Sequence, residues 1–357
     1  MKKIALIGCG GIGRHHTRCL IQFDDIEIVG MCDLVLSRAE DFLRRYVHAK
    51  HKNCRAFSDY REMYDDAKPD AVFVCVPPNV RGVIEFEAIK RGIHLFVEKP
   101  MTLDLPLAFR IRDAMAAKGI INAVGLQCRY DDINEPAREY VKNHRIIGIQ
   151  GSRVGGAYDR DWWRVKSQGG GQLAETSIHQ MDMIRYLLGV EPEEVFSYSR
   201  RGIITNEMMT GYDADDLSVT AIRFTDGTLA TFTAGCYSET GASWDNKILF
   251  GALASRMEYT LTKKTVIYGL LDEDMEKEDS TTVKGDGTQN RNENEQGIVY
   301  RSTVDLGVLC DRAFVDAVIT GDSSKIRSPY ADAVKSLAFV LACNKSMETG
   351  LPVKVAL

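Results

Sequence analysis

Short apolar runs alternate with helix-like segments through the first third of the chain. The apolar runs are rich in β-branched residues and are bounded by Gly, Pro or Asp, as buried strands are; they are KIALIG, IEIVGMCD, AVFVCVPP, HLFVEKP and IINAVG. The segments between them have helical spacing; they are GRHHTRCLIQF, SRAEDFLRRY, YREMYDD, VRGVIEFEAIKRG and LPLAFRIRDAMAAKG. This alternation predicts an α/β arrangement in which helices cover both faces of a parallel sheet.

Beyond residue 126 the pattern changes to alternating apolar and polar positions. The stretch LSVTAIRFTDGTLATFTAG contains two alternating runs around Asp226 and Gly227, which is a strong hairpin signal. More strand-like runs follow at 244–250, 255–260 and 264–270. The pattern predicts an α+β region with a largely antiparallel open sheet.

Two helical segments lie near the end of the sequence. LCDRAFVDAVITG and YADAVKSLAFVLACNKSMETG have helical spacing, and Gly321 and Gly350 are suited to end these helices. A polar segment at 272–297 predicts a mobile loop. We therefore predict two domains, at residues 1–126 and 127–357, with the C-terminal helices as candidates to pack back on the first.

The bulk properties exclude several classes of protein. The 357 residues include 45% hydrophobic and 27% charged residues, which is typical of a globular protein, and the net charge of −5 argues against nucleic-acid binding. No apolar run approaches the roughly 20 residues that a membrane span requires. The apolar run in MKKIALIGCGG is too short for a signal peptide, so we expect a cytoplasmic location.

Cysteine and histidine give no sign of a metal site. The nine cysteines are scattered without C-x-x-C pairs, which indicates reduced thiols rather than a disulfide framework. The seven histidines form no recognised ligand motif. Those at 15–16 and 48–51 lie in polar segments and are predicted to be on the surface. We predict no structural or catalytic metal.

A glycine motif follows the first predicted strand. Gly8, Gly10 and Gly13 have G-x-G-x-x-G spacing at the start of a helix, where a tight turn and free backbone N–H groups can hold a pyrophosphate. Asp33 ends the second strand 20 residues beyond Gly13, where a ribose-binding acid is expected. Its carboxylate would repel a 2′-phosphate, which favours NAD, and the nearby Arg38 leaves NADP as the alternative. The first domain is therefore predicted to be a Rossmann domain.

The segment GGGQLAETSIHQMD places Glu175, His179 and Asp182 at steps of four and three, and Tyr186 continues the series. On a single helix these side chains would share one stripe. One interpretation is a functional stripe that faces a cleft. The alternative is an amphipathic helix whose polar side faces water.

The motif VEKP places Glu98, Lys99 and Pro100 at the carboxyl end of the fifth strand, at the edge that lines the ligand crevice of an open α/β sheet. The alternative is a surface lysine that follows a strand. VPPN, which contains Pro77 and Asn79, follows the fourth strand in the same way. The Lys99–Pro100 bond is a candidate cis bond, because X–Pro bonds adopt this form at small cost.

In this combination of motifs the chain resembles the Gfo/Idh/MocA oxidoreductase family. The likeness rests on G-x-G-x-x-G, Asp33, VPPN, EKP and E-x-x-x-H-x-x-D, and it extends to the closing SMETGLPVKV. Members pair an N-terminal Rossmann domain with a C-terminal α/β domain whose open sheet often serves oligomerisation. Most oxidise or reduce sugars, polyols and related compounds with NAD(P). The resemblance implies the same fold and a homodimer or homotetramer.

The resemblance implies that Lys99 is the lysine of the family's E-K-P motif and His179 its catalytic histidine. His179 would accept the hydroxyl proton, since histidine titrates near neutral pH, and Lys99 would stabilise the alkoxide charge. Inositol-dehydrogenase-like members have Asp where this chain has Glu175, which would orient His179 or hold a substrate hydroxyl.

Two sets of binding residues complete the predicted site. The cofactor set is Gly8, Gly10, Gly11, Ile12, Gly13, Asp33, Arg38, Pro77, Asn79, Glu98, Lys99 and Gln127. The substrate set is Lys99, Arg129, Tyr130, Trp163, Glu175, His179 and Asp182. Gln127, Arg129 and Tyr130 belong to QCRYD, which resembles the family's interdomain segment. For the adjacent Trp162 and Trp163, packing is the alternative to a sugar-binding wall.

Three functions are consistent with the sequence. The leading one is an NAD(P)-dependent dehydrogenase that acts on the CH–OH group of a cyclic polyol, sugar or glycoside. The second is an NAD-retaining enzyme that cleaves glycosides by transient ring oxidation and elimination. The third is a non-catalytic nucleotide-sensing protein, against which the retention of Lys99 and His179 argues.

Overall fold

The computed structural model describes residues 1–158, 160–239, 241–269 and 297–357. Its first sheet is parallel and has six strands in the order β3-β2-β1-β4-β5-β6. The strands are β1 (Lys2–Ile7), β2 (Ile26–Cys32), β3 (Arg55–Phe57), β4 (Ala71–Val74), β5 (His94–Val97) and β6 (Asn122–Val124). The predicted α/β class is confirmed, and only β3, which is three residues long, lacked a signal in the apolar pattern.

Helices cover both faces of this sheet. They are α1 (Gly11–Leu20), α2 (Leu36–Tyr46), α3 (Tyr60–Ala67), α4 (Val83–Lys90) and α5 (Leu105–Ala117). Alternate strand residues enter two separate cores, one beneath α3, α4 and α5 and the other beneath α1 and α2. Asp59 and Asp104 cap α3 and α5 by accepting backbone N–H bonds, which defines where these helices begin.

The second sheet has nine described strands in the order β14-β13-β12-β11-β7-β10-β9-β8-β15. They are β7 (Ile146–Gly156), β8 (Pro192–Arg200), β9 (Leu217–Phe224), β10 (Leu229–Ser238), β11 (Ser243–Ala252), β12 (Arg256–Thr260), β13 (Lys264–Tyr268), β14 (Ile298–Arg301) and β15 (Val353–Lys354). Among these described strands every neighbouring pair is antiparallel except β7 and β10. The predicted hairpin at Gly227 is present, with φ of 89° at this glycine.

The remaining helices are α6 (Asn134–Asn143), α7 (Asp161–Arg164), α8 (Lys166–Gly169), α9 (Gly171–Glu175), α10 (Ile178–Leu188), α11 (Leu306–Thr320) and α12 (Tyr330–Thr349). Gly321 and Gly350 end α11 and α12 in the left-handed conformation, as predicted. Helices α6, α10 and α12 pack against one face of the second sheet. The opposite face carries exposed apolar side chains, among them Tyr198, Val219 and Leu229. The predicted loop at 272–297 lies outside the described residues except for Gly297.

Helix α11 returns to the first sheet, although it is close to the end of the sequence. It packs against α1, and Phe314 makes edge contacts with Phe73 and Phe96 on the strands β4 and β5. The second core of the first sheet is therefore closed by a helix that begins about 180 residues after β6. In the part of the chain that the structure describes, we find no helix with the length and hydrophobicity needed to cross a membrane.

Two histidines predicted to be on the surface are instead buried. The imidazole of His16 on α1 lies between two buried carboxylates, with Nε2 3.0 Å from Glu98 Oε1 and Nδ1 2.9 Å from Asp311 Oδ1. His51 is also buried, and its Nδ1 accepts the N–H of Ile28. The prediction for His16 was wrong because the side of α1 that carries it is covered by α11.

The protonation of His16 is set by its two partners. Burial opposes the charged imidazolium, but the charges and hydrogen bonds of Asp311 and Glu98 outweigh it and raise the pKa of His16 to about 10. The histidine is therefore a cation at neutral pH. It joins α1, α11 and the end of β5.

We expect an NMR titration of His16 in the folded protein to give a pKa of about 10. Unfolded histidine releases its proton near pH ~6.5, so the stabilisation from His16 is complete below that pH and is lost as the pH rises through the folded value. The melting temperature should fall over this range. Asp311→Asn removes one carboxylate charge and should move both transitions to lower pH. A folded-state pKa near the ordinary value would contradict the assignment.

Candidate functional site

A cleft of about 1230 Å³ lies between the carboxyl edge of the first sheet and the second sheet's helices. This is the edge at which parallel α/β sheets bind ligands. Most of the residues predicted for the site line it. Those from the first sheet's side are Gly8, Gly10, Gly11, Ile12, Asp33, Arg38, Pro77, Asn79, Glu98, Lys99 and Gln127, and those from the other side are Trp163, Glu175 and His179.

The glycine loop leaves no room for side chains at two of its positions. A Cβ on Gly8, where φ is 98°, would lie 2.4 Å from the carbonyl oxygen of Cys75. A Cβ on Gly13 would lie 2.1 Å from the oxygen of Gly8. A Cβ on Gly10 would have no other atom within 4 Å, and no side chain caps the N-terminus of α1. The N-terminus of α1 therefore faces the cleft with free N–H groups, which suits a pyrophosphate.

Asp33 is held in place at the end of β2. Its carboxylate accepts the N–H groups of Cys9 and Val35, each at 3.1 Å. Arg38 Nη1 lies 3.6 Å from Asp33 Oδ1, and its side chain is 61% exposed. The acid therefore points toward the cofactor end of the cleft, where it can accept hydrogen bonds from a ribose.

Arg160 is a cleft residue that the sequence did not predict. A Cβ built on Gly11 would lie 3.5 Å from Nη2 and 3.8 Å from Nη1 of this arginine. A guanidinium from the second domain thus lies over the glycine loop of the first. No local motif indicates this contact, because it joins residues about 150 positions apart. Together with the glycine cradle and Asp33, it fits NAD.

Lys99 lies with Glu175 and His179 at the end of the cleft where catalysis is predicted, which we call the catalytic end. Its Nζ donates to Glu175 at two oxygens, the backbone carbonyl at 2.8 Å and Oε1 at 3.0 Å. Burial opposes the charge, but Glu175 and Glu98 outweigh it and raise the pKa of Lys99. The lysine is thus a cation at neutral pH. The Lys99–Pro100 bond is cis, as predicted.

His179 has the opposite electrostatic environment. Burial and the positive charge of Lys99 lower the pKa of His179 to about 4, so that its imidazole is neutral near pH 7. Its Nδ1 is buried and has no hydrogen-bond partner among the described residues. The predicted role of Glu175 in orienting His179 is not supported by the geometry, because its carboxylate is bonded to Lys99.

The prediction of a single helix across this segment was wrong. Helix α9 ends at Glu175 and α10 begins at Ile178, and Gly170 and Gly171 before them both have positive φ. The break lets Glu175 and His179 line the cleft while Asp182 turns away from it. Spacing alone did not reveal the break, since the segment contains no proline.

Three residues predicted to bind substrate instead form buried contacts. Asp182 is 1% exposed, and Arg129 donates to both of its carboxylate oxygens at 2.6 and 2.8 Å. The hydroxyl of Tyr130 is buried and accepts the N–H of Arg327 at 2.9 Å. These contacts correct the substrate assignments of Arg129, Tyr130 and Asp182. Their charged and polar groups are already paired, as buried groups must be.

The two adjacent tryptophans both pack in a core and border the cleft. Trp163 is 2% exposed and packs near the rings of Tyr158 and Tyr212 in a small separate core. It still borders the cleft, as does the less buried Trp162. Packing is the main role of Trp163, and its part in binding substrate stays a prediction.

The cleft has a polar wall that the sequence patterns did not identify. Arg153 on β7, Gln180 on α10 and Asn246 on β11 border it, and Gln180 Nε2 donates to Asn246 Oδ1 at 2.7 Å. Within the described ranges no group of three or more His, Cys, Asp or Glu side chains is arranged to hold a metal ion.

Comparison with known families gives matches in both parts of the chain. Residues 2–126 match the model described as the oxidoreductase family with an NAD-binding Rossmann fold. Residues 145–264 match a model for the C-terminal domain of the same family, GFO/IDH/MocA.

Individual relatives agree with these matches. The chain is 30% identical over 232 residues to myo-inositol 2-dehydrogenase of Thermotoga maritima, covering 64% of this chain and 66% of the relative. It is 29% identical over 230 residues to scyllo-inositol 2-dehydrogenase (NAD(+)) of Bacillus subtilis, covering 63% and 64%. The matches thus span slightly less than two thirds of these relatives. The structure of myo-inositol 2-dehydrogenase from Lactobacillus plantarum superimposes with a TM-score of 0.76 at 21% identity, over 99% of both chains, which shows the fold.

Proposed function

Because this chain belongs to the Gfo/Idh/MocA family of NAD-binding oxidoreductases, we propose that it transfers hydride between NAD and a secondary alcohol of a cyclic polyol, sugar or glycoside. The observation that carries the proposal is that a cationic Lys99 and a neutral His179 border the same cleft as the glycine loop. The relatives that share this family act, by their names, on inositols.

The residues divide the chemistry between them. Neutral His179 accepts the proton of the substrate hydroxyl, and the ammonium of Lys99 stabilises the negative charge that develops on the oxygen. Glu175 keeps Lys99 charged and in position through its two contacts. Bound NAD supplies the hydride acceptor. In the direction of reduction, protonated His179 returns the proton.

The cofactor would be held along the first-domain wall. The N–H groups at the start of α1 and the guanidinium of Arg160 suit the pyrophosphate, and Asp33 suits the adenosine ribose. Pro77, Asn79, Glu98 and Gln127 border the same part of the cleft and remain predicted contacts. We propose that residues 1–126 form this domain, with α11 completing its core, and that 127–357 supply the rest.

A panel of cyclic polyols, sugars and glycosides, assayed for NADH fluorescence, tests the proposed activity. We expect at least one member to give NADH, and His179→Ala and Lys99→Ala each to lower kcat by ~10²–10⁴-fold, the usual contribution of positioned acid–base groups. Binding of NAD should be retained, since the residues proposed to hold its phosphates and ribose are unchanged in these variants. His48→Ala, on the surface, is the matched control.

Other results would redirect the assignment. Cleavage of glycosides without net NADH would indicate the cofactor-retaining route, and NAD binding without turnover of any panel member would indicate a sensor. If kcat of His179→Ala stayed within a few-fold of the wild-type value, His179 would be excluded as the base. Since the pKa of His179 is about 4 in the free protein, the acid limb of kcat/KM should lie well below pH ~6.5, where an unperturbed histidine titrates.

Asp33 is expected to set the preference for NAD over NADP. Asp33→Ala removes the charge that repels a 2′-phosphate and releases Arg38 from its ion pair. The ratio of the dissociation constants should shift toward NADP by about tenfold, equivalent to ~1.4 kcal/mol. Titration with both cofactors measures this ratio, and Asp24→Ala on the exposed surface is the control. A wild-type preference for NADP, or an unchanged ratio, would count against this role.

We further propose that the chain forms a homodimer or homotetramer through the open face of its second sheet and acts in the cytoplasm. Tyr198, Val219 and Leu229 expose apolar surface there, opposite the helices. Light scattering at micromolar concentration should give a multiple of the 39.9 kDa chain mass. Val219→Arg should shift the mass toward the monomer, whereas Leu253→Arg, in an exposed loop, should not. A monomeric wild type would remove the proposal.

A further inference from the structure

Arg153 is a buried cation with an unusual set of partners. Its residue is 8% exposed, and its guanidinium donates only to neutral oxygens, Gly235 O and the hydroxyl of Tyr158, both at 3.3 Å. None of the carboxylates in the described ranges forms an ion pair with it. A buried guanidinium normally gains a carboxylate partner, because neutral acceptors compensate its lost hydration poorly.

The strand register places Arg153 at the catalytic end of the cleft. Arg153 lies on the same face of β7 as Gly151, whose Cβ would lie 3.3 Å from Ile184 on α10. Its partner across the ladder is Asn246 on β11, and Asn246 accepts a hydrogen bond from Gln180. Gln180 directly follows His179. Arg153 therefore borders the cleft on the same wall as Asn246 and Gln180, and its guanidinium bonds the hydroxyl of Tyr158, which acts electrostatically on Lys99.

The other cations that border the cleft have different partners or positions. Lys99 pairs with Glu175, Arg38 with Asp33, and Arg81 with Glu85. Arg160 lies over the glycine loop, at the cofactor end. Arg153 is thus the cation at the catalytic end of the cleft that forms no ion pair with a carboxylate of the described residues.

We infer that Arg153 binds an anionic group on the substrate, so that the preferred substrate is a polyol or sugar that carries a carboxylate or a phosphate. This inference rests on the proposed dehydrogenase function and narrows its substrate class. Guanidinium binds both oxyanions through paired N–H donors, so the two share one chemistry. Binding there would anchor one end of the substrate while the ring hydroxyl faces His179 and Lys99.

Matched substrate triplets test this. Glucose, glucuronate and glucose 6-phosphate, with the galactose equivalents, are compared by kcat/KM for NADH formation in wild type and in Arg153→Met. We expect wild type to prefer the carboxylate or the phosphate member over the neutral one by at least tenfold. The variant should lose about thirtyfold or more of its kcat/KM on that anionic member, with a much smaller loss on the neutral sugar. The member that responds identifies which oxyanion is bound.

A binding measurement separates this inference from the proposed activity. Trp162 and Trp163 border the cleft, so tryptophan fluorescence can report the binding of glucuronate or glucose 6-phosphate without turnover. Binding that Arg153→Met abolishes would support the anion site even if no sugar gives NADH. Arg153→Lys, which keeps the charge, should retain part of the binding. Arg223→Met, on the same sheet but paired with Glu194, is the control.

Three results would overturn the inference. They are a wild-type preference for the neutral sugars, an equal loss on all three members of a triplet in Arg153→Met, and anion binding that survives in both Arg153 variants. If Arg153→Met fails to fold, anion binding is compared between wild type and Arg153→Lys instead. Lysine lacks the planar pair of N–H donors of arginine, so this variant should bind the anion measurably more weakly, and equal binding would overturn the inference.

Discussion

The buried cation His16 connects the parts of the protein on which the site depends. Its imidazolium lies between Glu98 and Asp311, and the second oxygen of Glu98 accepts the N–H of Lys99 at 3.0 Å. One ionic cluster therefore links the cofactor helix α1, the strand end that presents Lys99, and α11. Loss of one partner would leave a buried charge uncompensated, which is far more costly than loss of a surface ion pair.

Burial acts on both Lys99 and His179, yet it leaves them in opposite charge states. Each loses hydration in the same cleft, which disfavours the charged form of both. Lys99 has carboxylates beside it and stays protonated, whereas His179 faces the cation itself and stays neutral. In the proposed reaction one charge would thus serve two purposes, because the ammonium that would stabilise an oxyanion also keeps the proposed base neutral and able to accept a proton.

The fold and the cofactor half of the site could be predicted from the sequence because their signals are local. Strand runs, the glycine spacing and Asp33 each lie within a few residues of the structure they form. The rest depends on contacts between distant segments. The burial of His16 by α11, the pairing of Asp182 with Arg129, and the position of Arg153 opposite Asn246 in the second sheet join residues that no short motif contains. The sequence pattern did not predict the helix break after Glu175 either, because the break depends on how α9 and α10 pack and not on a local residue signal.

The parallel pair in an otherwise antiparallel sheet has a further consequence. Neighbouring parallel strands cannot be joined by a hairpin, so the chain leaves the sheet after β7, returns to it at β8 and reaches β10 through β9. The segment between β7 and β8, residues 157–191, contains Arg160, Trp163, Glu175 and His179. The residues that this domain contributes to the predicted site are thus concentrated in one contiguous segment between two strands that are not neighbours in the sheet. Exchange of this segment between related proteins would change the residues that border the cleft, and with them the specificity, while the strands at the centre of the sheet stay unchanged.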